Sequence, residues 1–239
     1  MSAKIRLFVE QPLGAAQPVP LTREQAHYLF GVMRLGVGAR VALFNGSDGE
    51  WVADVVEAGK RGGVLECRAQ SRALTLPPDL WLLFAPIKKA RTDFIVEKAV
   101  EMGVRRLVPV QTEFTNSERI RQDRLQAHAV EAAEQCGATY VPEVTPLTKL
   151  GRALDEWQPD RQIAFCDETR AGESGQLPDL PGPWAILIGP EGGFSEAERT
   201  RLHRADHAHT ISLGPRILRA DTAAVAALTL WQSKLGDWQ

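Results

Sequence analysis

The sequence predicts an α/β protein with a parallel sheet, preceded by a small β-rich module. Up to residue 73, short apolar segments are separated by turn pairs such as Asn45-Gly46 and Gly62-Gly63, which is typical of antiparallel strands. Beyond Leu74, longer apolar runs alternate with helical segments, as in a sheet covered on both faces. Because Pro77-Pro78 punctuates this change, we expect two domains, residues 1–73 and 74–239.

In the first module we expect one helix among four strands. The strands are predicted at residues 5–10, 39–46, 50–59 and 62–70, where β-branched and aromatic residues concentrate. The segment REQAHYLFGVMRL follows Thr22, and Gln25 stands three residues after it. This spacing predicts a helix that begins with a capping box.

The second part alternates strands and helices. Helices are predicted over residues 92–103 and 123–136, where apolar residues follow a helical period. The apolar runs that predict strands lie at residues 80–87, 105–112, 161–167, 184–190 and 209–214.

Composition narrows the class of protein. Hydrophobic residues make up 44% and charged residues 24%, as in ordinary globular proteins. The three cysteines show no Cys-x-x-Cys spacing, so neither a disulfide framework nor a zinc ribbon is expected, and a reducing cytoplasm fits. The N-terminal residues do not form a secretory leader, and no apolar run is long enough to span a membrane.

The net charge of −2 hides an uneven distribution. Basic residues crowd into the middle of the chain, at Lys88, Lys89, Arg91, Arg105, Arg106, Arg119, Arg121 and Arg124. A nucleic-acid contact would use this part of the chain. Charge alone leaves equally open that these residues are solvated charges on helix faces.

A glycine-rich loop, GPEGGFSEAE, follows the strand predicted at residues 184–188. Gly189, Gly192 and Gly193 lack the Cβ that would hold a ligand away from the main chain. Ser195 and Glu198 predict that a helix with a capping box follows. The loop lacks the Lys-Ser/Thr of a P-loop and lies too late in the domain for a Rossmann dinucleotide site. A turn without a ligand is as consistent with this loop alone.

A second Gly-Pro turn follows the last predicted strand, in LGPRILRADTAAVAAL. A helix begins after it, for which Asp221 or Thr222 is the expected N-cap. Two Gly-Pro turns at the ends of consecutive strands can form the two walls of one pocket.

At these residues the chain resembles the SPOUT superfamily of knotted methyltransferases, and within it the branch that methylates uridine in ribosomal RNA. The resemblance rests on HYLFGVMRLGVGARVALFNGSDGEW, KKARTDFIVEKAVEMGV, FTNSER, AEQCG, IGPEGGFSEAE and LGPRILRADTAAVAAL, which span nearly the whole chain in order. It implies a PUA-like β-barrel domain that binds RNA, then a parallel-sheet domain whose C-terminal segment forms a trefoil knot. Periodicity alone would not predict a knot, because knots are rare.

The resemblance also implies a reaction, a cofactor and partners. The reaction is methyl transfer from S-adenosyl-L-methionine to N3 of a uridine in 16S ribosomal RNA of the small subunit. The protein is expected to be a homodimer with its final helix in the interface. The apolar face that includes Leu228 and Trp231 suits this role, although the core of a single subunit would use that face equally well. The predicted cofactor-binding residues are Leu187, Ile188, Gly189, Pro190, Glu191, Gly193, Leu213, Gly214, Ile217 and Leu218. Ribose 2′-hydroxyl methylation and an inactive RNA-binding protein are the alternatives.

The chemistry of uridine N3 directs attention to charged residues near the second turn. Because N3 carries a proton, the enzyme must remove it or stabilise the developing anion. Arg219 and Arg216 are predicted to stabilise charge, and Asp221 or Glu191 to act as base, although Asp221 can equally cap its helix. Contacts to RNA are predicted for Arg6, Arg34, Lys88, Lys89 and Arg91. No metal is expected, because the histidines His203, His207 and His209 lack a completing ligand set.

Overall fold

We describe the protein from a computed structural model, which covers residues 3–116, 119–167 and 175–238. The chain forms two compact units. The first runs to Leu76 and also includes Ala133–Val141. The second consists of Pro77–Ala132 and the chain from Pro142 onward. The inclusion of Ala133–Val141 in the first unit was not foreseen from the sequence.

The first unit is built on a five-stranded sheet with the order β1-β3-β4-β5-β2. Its strands are β1 (Arg6–Phe8), β2 (Pro18–Pro20), β3 (Arg40–Phe44), β4 (Glu50–Gly59) and β5 (Gly62–Arg72). β1 pairs with β3 in parallel and the other pairs are antiparallel. The four predicted strands are present. β2 was missed because its two prolines break the usual strand pattern, and prolines are tolerated only at a sheet edge, where β2 lies.

The predicted helix of the first unit has two parts. α1 (Arg23–Ala26) begins at Thr22 with the expected capping box, since Thr22 and Gln25 bond reciprocally. The segment His27–Val32 then continues as a π-helix. This wider turn leaves Leu29 fully buried and Tyr28 on the surface. The helical prediction is confirmed, and the change of helix type was not predictable from the sequence period.

Arg6 organises a buried polar network in the first unit. Its guanidinium donates to Glu50 at 2.7 Å, to the carbonyls of Ala133 and Glu134 at 2.6 and 2.9 Å, and to that of Ala138 at 2.7 Å. The carbonyls at a helix end lack partners within the helix, so Arg6 satisfies those at the end of α3 (Gln122–Cys136). The structure thus gives Arg6 a structural role, and its predicted RNA contact stays a prediction.

Glu50 is the acidic centre of this network, and its side chain is only 9% exposed. Burial raises the pKa of Glu50, but hydrogen bonds from Arg72, Arg6 and Ser71 outweigh burial and lower the pKa from 4.5 to about 2. A carboxyl whose pKa is lowered by folding stabilises the folded state above its unfolded pKa. This stabilisation is lost as the pH falls from 4.5 towards about 2.

Glu50→Gln is therefore expected to destabilise the protein by about 3 kcal/mol at pH 7, because Arg6 is left buried without its counter-charge. Urea unfolding of both proteins measures this difference. Glu66→Gln serves as the control, since Glu66 is one-third exposed in a surface pair with Arg68 and should cost at most about 1 kcal/mol. The difference between wild type and Glu50→Gln should shrink below pH 4.5. A difference that stays constant to pH 2 would contradict the charge explanation.

The second unit contains a seven-stranded parallel sheet, with the order β12-β10-β11-β6-β7-β8 and β9 also paired with β7. Its strands are β6 (Leu80–Phe84), β7 (Arg106–Gln111), β8 (Glu143–Val144), β9 (Thr148–Lys149), β10 (Gln162–Cys166), β11 (Trp184–Ile188) and β12 (Ala208–Ile211). The central strand β11 is buried along its whole length. The predicted parallel sheet is confirmed.

Within the described residues, five helices accompany this sheet. They are α2 (Lys89–Glu101), α3, whose residues 122–132 belong to this unit, α4 (Leu150–Asp155), α5 (Glu196–His203) and α6 (Ala220–Leu235). α6 packs against α2 and β11. Leu228 and Trp231 are buried, at 0% and 3% exposure, inside their own unit. This burial fits the alternative that the apolar face of the final helix belongs to the core of its own subunit, and the homodimer stays a prediction.

Candidate functional site

A pocket opens at the carboxyl ends of β10, β11 and β12, three neighbouring strands of the parallel sheet. Its empty space is about 650 Å³, which includes open solvent at the mouth. Ligand sites of parallel sheets usually lie at this edge. The residues that line it are Cys166, Asp167, Ile188, Gly189, Pro190, Glu191, Ile211, Ser212, Leu213, Gly214, Arg216, Ile217, Leu218, Ala220 and Ala223.

The first wall is the glycine-rich loop after β11. A turn closes it, because the Gly193 amide donates to the Pro190 carbonyl at 2.9 Å. Gly193 has a φ of 69°, in the left-handed region that glycine adopts most readily. Ser195 then caps α5 with the predicted capping box, in which Glu198 returns a bond to the Ser195 amide.

Two glycines of this loop make room for aromatic rings of the protein itself. A Cβ on Gly189 would lie 3.1 Å from the ring of Phe194, and one on Gly192 would lie 3.1 Å from the Cβ of Phe114. Phe194 is fully buried and meets Phe165 edge to face. These glycines therefore also serve the packing of the protein, Gly189 lines the pocket as well, and their contact with a ligand stays a prediction.

The second wall is the segment between β12 and α6. Gly214 lines the pocket with a φ of 104°, and a Cβ there would have no protein atom within 4 Å. The main chain therefore borders empty space at Gly214. Leu213 and Leu218 are half-buried in the same wall. Ile217 is 75% exposed at the lip of the pocket.

Most of the predicted cofactor-binding residues lie in this pocket. Leu187 and Gly193 are the two that do not line it, because Leu187 is fully buried in the core and Gly193 lies at the far side of its turn. Six lining residues were not predicted, namely Cys166, Asp167, Ile211, Ser212, Ala220 and Ala223. Of these, Asp167 adds a carboxylate whose side chain is only 1% exposed.

The charged candidates flank the second wall. Arg216 is exposed and lines the pocket. Arg219 is exposed at the N-cap position of α6 and makes no capping bond with its side chain. Asp221 lies within the first turn of α6, two residues after the N-cap position, so the predicted N-cap is wrong. Its Oδ2 lies 3.8 Å from Nε of Arg91, and its Oδ1 accepts from the Thr222 amide.

Arg91 therefore connects the start of α2 with the start of α6. Lys88 and Lys89 precede it and are exposed at the N-terminus of α2. The hydroxyl of Thr92 holds the turn that leads into α2, because it bonds both the amide and the carbonyl of Ile87. These three basic residues thus lie on one fixed turn of the second unit.

Arg34 belongs to the first unit and is exposed, with a φ of 55°. This left-handed conformation is uncommon for a residue with a side chain. It lies two residues after Val32, the last residue of the π-helix.

The three histidines have separate partners. His203 Nε2 lies 3.4 Å from Oδ2 of Asp167, His207 stacks on Trp157, and His209 Nε2 bonds Gln162 at 2.8 Å. Burial and the neighbouring His207 lower the pKa of His209. Within the described ranges no group of three or more metal-ligating side chains is found.

Two further findings concern the predicted features. In the part of the chain that the structure describes, no helix is long and apolar enough to cross a membrane. Ser117 and Glu118 of the FTNSER segment lie outside the described residues.

Comparisons with known proteins match both units. A family model described as RNA methyltransferase domain matches residues 75–232, and one described as RNA methyltransferase PUA domain matches residues 21–66. The ribosomal RNA small subunit methyltransferase E of Synechocystis is 31% identical, with 95% of this chain and 76% of that protein covered. That of Rickettsia conorii is 27% identical, with 93% of each chain covered.

Solved structures agree over the whole length. The ribosomal RNA small subunit methyltransferase E of Neisseria gonorrhoeae, bound to S-adenosyl methionine, has a TM-score of 0.89 at 27% identity and covers 98% of this chain and 99% of its own. A methyltransferase from Legionella pneumophila in complex with the same cofactor has a TM-score of 0.87 at 27% identity and covers 99% and 100%. The chain therefore belongs to the RNA methyltransferases, in the ribosomal RNA small subunit methyltransferase E family.

Proposed function

We propose that this protein transfers a methyl group from S-adenosyl-L-methionine to N3 of a uridine in 16S ribosomal RNA. The observation that carries the proposal is the pocket at the carboxyl ends of β10, β11 and β12, whose two walls are the Gly-Pro turns. The relatives named above act on small-subunit ribosomal RNA or bind S-adenosyl methionine, by their names.

The pocket residues fit this cofactor. Empty space beside the Cα of Gly214 lets a flat ring approach the main chain, and Ile188, Leu213 and Leu218 supply apolar contact for an adenine. Asp167 gives the pocket wall a negative charge, which complements the cationic amino and sulfonium groups. When bound, S-adenosylmethionine supplies the electrophilic methyl carbon.

The protein must hold the acceptor nitrogen in line behind that carbon and exclude water. Arg219 and Arg216 are exposed beside the second wall, where a uridine can reach them. We assign them to the carbonyl oxygens on either side of N3, on which negative charge develops as the proton leaves. Because both side chains project from the turn that forms the wall, cofactor and acceptor are positioned by one segment.

Two carboxylates are candidates for the base that removes the N3 proton. Asp221 is oriented by Arg91 at the start of α6, and Glu191 lies exposed on the opposite wall. We favour Asp221, because its orientation by a second residue satisfies a geometric requirement of general-base catalysis. Lys88, Lys89 and Arg91 would contact RNA phosphates from the second unit and Arg34 from the first, each as a positioning contact.

The trefoil knot, the domain division at residues 73 and 74, the homodimer and the cytoplasmic location are further parts of the proposal. In support of the knot, α6 follows the edge strand β12 in the chain but packs against β11, two strands further into the sheet. For the dimer, Ile217 offers a 75% exposed apolar side chain beside the pocket. Sedimentation equilibrium tests the dimer, and a monomer at micromolar concentration would contradict it.

The function is tested by incubating the protein with labelled S-adenosylmethionine and small ribosomal subunits that lack the modification. Nucleoside analysis of the product is expected to give N3-methyluridine. A ribose-methylated nucleoside would overturn the proposed target atom. Cofactor binding without transfer to subunits or naked RNA would overturn the proposed substrate, and absence of cofactor binding would overturn the proposal as a whole.

A further inference from the structure

A second groove lies along the exposed face of α5, apart from the pocket described above. Phe114 and Glu113, from the loop after β7, stand at its head beside the start of α5. Thr200 and Arg204 lie further along the helix. The residues of this groove have no role in the methyl transfer proposed above.

Phe114 is presented to solvent by a fixed turn and is 45% exposed. The turn is closed by the hydroxyls of Thr112 and Thr115, which lie 2.9 Å apart, and by the Thr115 amide, which donates to the Thr112 carbonyl. Glu198 accepts from the Glu113 amide with one carboxylate oxygen and from the Ser195 amide with the other, each at 2.9 Å. An aromatic ring held outward in this way loses little freedom when a ligand covers it.

The groove adjoins the candidate cofactor pocket. Its head lies at the carboxyl ends of β7 and β11, on the same edge of the parallel sheet as the pocket. Gly192 allows the main chain of the glycine loop to contact Phe114, because a Cβ there would lie 3.1 Å from the Cβ of Phe114. Pro190 and Glu191 of the same loop line the pocket. One loop thus borders both sites.

The groove carries carboxylates at its head, and a hydroxyl and a guanidinium further along. Glu113 and Glu196 are exposed at the head, where carboxylates can accept hydrogen bonds from base N–H groups. Thr200 and Arg204 follow about 6 and 12 Å further along the helix axis, at 1.5 Å per residue. Arg201 is already paired with Asp155. In the part of the chain that the structure describes, the guanidinium of Arg204 forms no ion pair with an acidic side chain, so it can bind a phosphate.

We propose that this groove binds an unpaired segment of the RNA substrate next to the target uridine. One base stacks on Phe114, and the backbone phosphates lie beside Thr200 and Arg204. An exposed aromatic ring, a hydroxyl and a guanidinium are groups to which single-stranded RNA binds. The loop of residues 189–195 contributes residues to both the groove and the pocket. The inference rests on the proposed function, since it takes the substrate to be RNA.

Phe114→Leu tests stacking, because leucine keeps an apolar side chain but has no π face. We expect the affinity for a fluorescent single-stranded RNA of about 12 nucleotides to fall about tenfold. Phe114→Trp should restore it, whereas a purely packing role would be served by leucine. S-adenosylmethionine affinity and the melting temperature, measured on the same variants, should stay at wild-type values.

Arg204→Gln tests the phosphate contact. Binding of the same RNA should weaken and lose about one unit of its dependence on log salt concentration. Arg152→Gln is the control, because Arg152 carries the same charge and its side chain is 73% exposed, but it does not line the groove. It should leave both the affinity and the salt dependence unchanged.

The outcomes separate this inference from the proposed function. If wild type methylates subunits while Phe114→Leu and Arg204→Gln bind RNA normally, the groove proposal is wrong and the function stands. If these variants lose transfer to assembled subunits but bind the RNA probe normally, the groove contacts a ribosomal protein and the RNA proposal is overturned. If wild type binds the probe through the groove but transfers no methyl group, the proposed function fails and the groove remains an RNA site.

Discussion

Replacing Gly214 by alanine is expected to weaken binding of S-adenosylmethionine by about tenfold or more, because a methyl group then occupies the space beside the main chain. Gly214 lines the pocket and has a φ of 104°. The added Cβ meets no protein atom within 4 Å, so the protein itself has room for it. The loss is therefore expected in the ligand complex, and isothermal titration calorimetry measures it directly.

A positive φ also strains any alanine, and the control must share this strain. Gly182 has a φ of 119°, likewise has no atom within 4 Å of a built Cβ, and lies outside the pocket. Gly182→Ala and Gly214→Ala should each lose about 1 kcal/mol of stability. Only Gly214→Ala should also lose cofactor affinity. Equal affinities in the two variants would mean that Gly214 does not border the cofactor.

The strands of the second unit were predictable because burial on both faces leaves a continuous apolar run. β11 shows this most clearly, since all five residues from Trp184 to Ile188 are buried. The two-residue strands β8 and β9 give no such run and were missed. Ala133–Val141 belongs to the first unit, where the Ala133 carbonyl accepts a hydrogen bond from Arg6, 127 residues away in the chain. No local pattern carries information about such a contact.

The candidate site was predictable from the two places where an apolar segment of the sequence ends in a Gly-Pro turn. Both Gly-Pro turns interrupt apolar strands, and the structure places both on one pocket. Cys166 and Asp167 were missed because their strand, β10, lies between β11 and β12 only in the sheet order. That order does not follow the chain, since β10 precedes both strands in sequence.

The role of individual glycines was harder to predict than their presence. Gly189, Gly192 and Gly214 look alike in the sequence, as residues of loops after strands. In the structure the first two admit the rings of Phe194 and Phe114, and only Gly214 borders open space. The difference depends on where distant aromatic side chains pack, which a local glycine pattern does not encode.

Arg219→Ala is expected to lower kcat by about 100-fold to 1,000-fold, the typical cost of removing one group that stabilises charge in a transition state. Arg219 suits this role because its side chain caps no helix group and is exposed beside the pocket wall. Methyl transfer under saturating S-adenosylmethionine, with small subunits as the variable substrate, gives kcat and KM separately. Arg219→Lys should lie between wild type and alanine, because lysine keeps the charge but loses the planar fork.

Whether the substitution changes kcat or KM distinguishes the two possible roles of Arg219. Stabilisation of the uridine anion acts only in the transition state, so its loss lowers kcat and kcat/KM together. A phosphate contact acts equally in the bound substrate, so its loss raises KM at constant kcat and reduces the salt dependence. Arg152→Ala, remote from the pocket, controls for the change in net charge and should alter neither constant. A raised KM with unchanged kcat in Arg219→Ala would mean that Arg219 positions the RNA and does not stabilise charge. Charge stabilisation would then be assigned to Arg216, which lines the same wall.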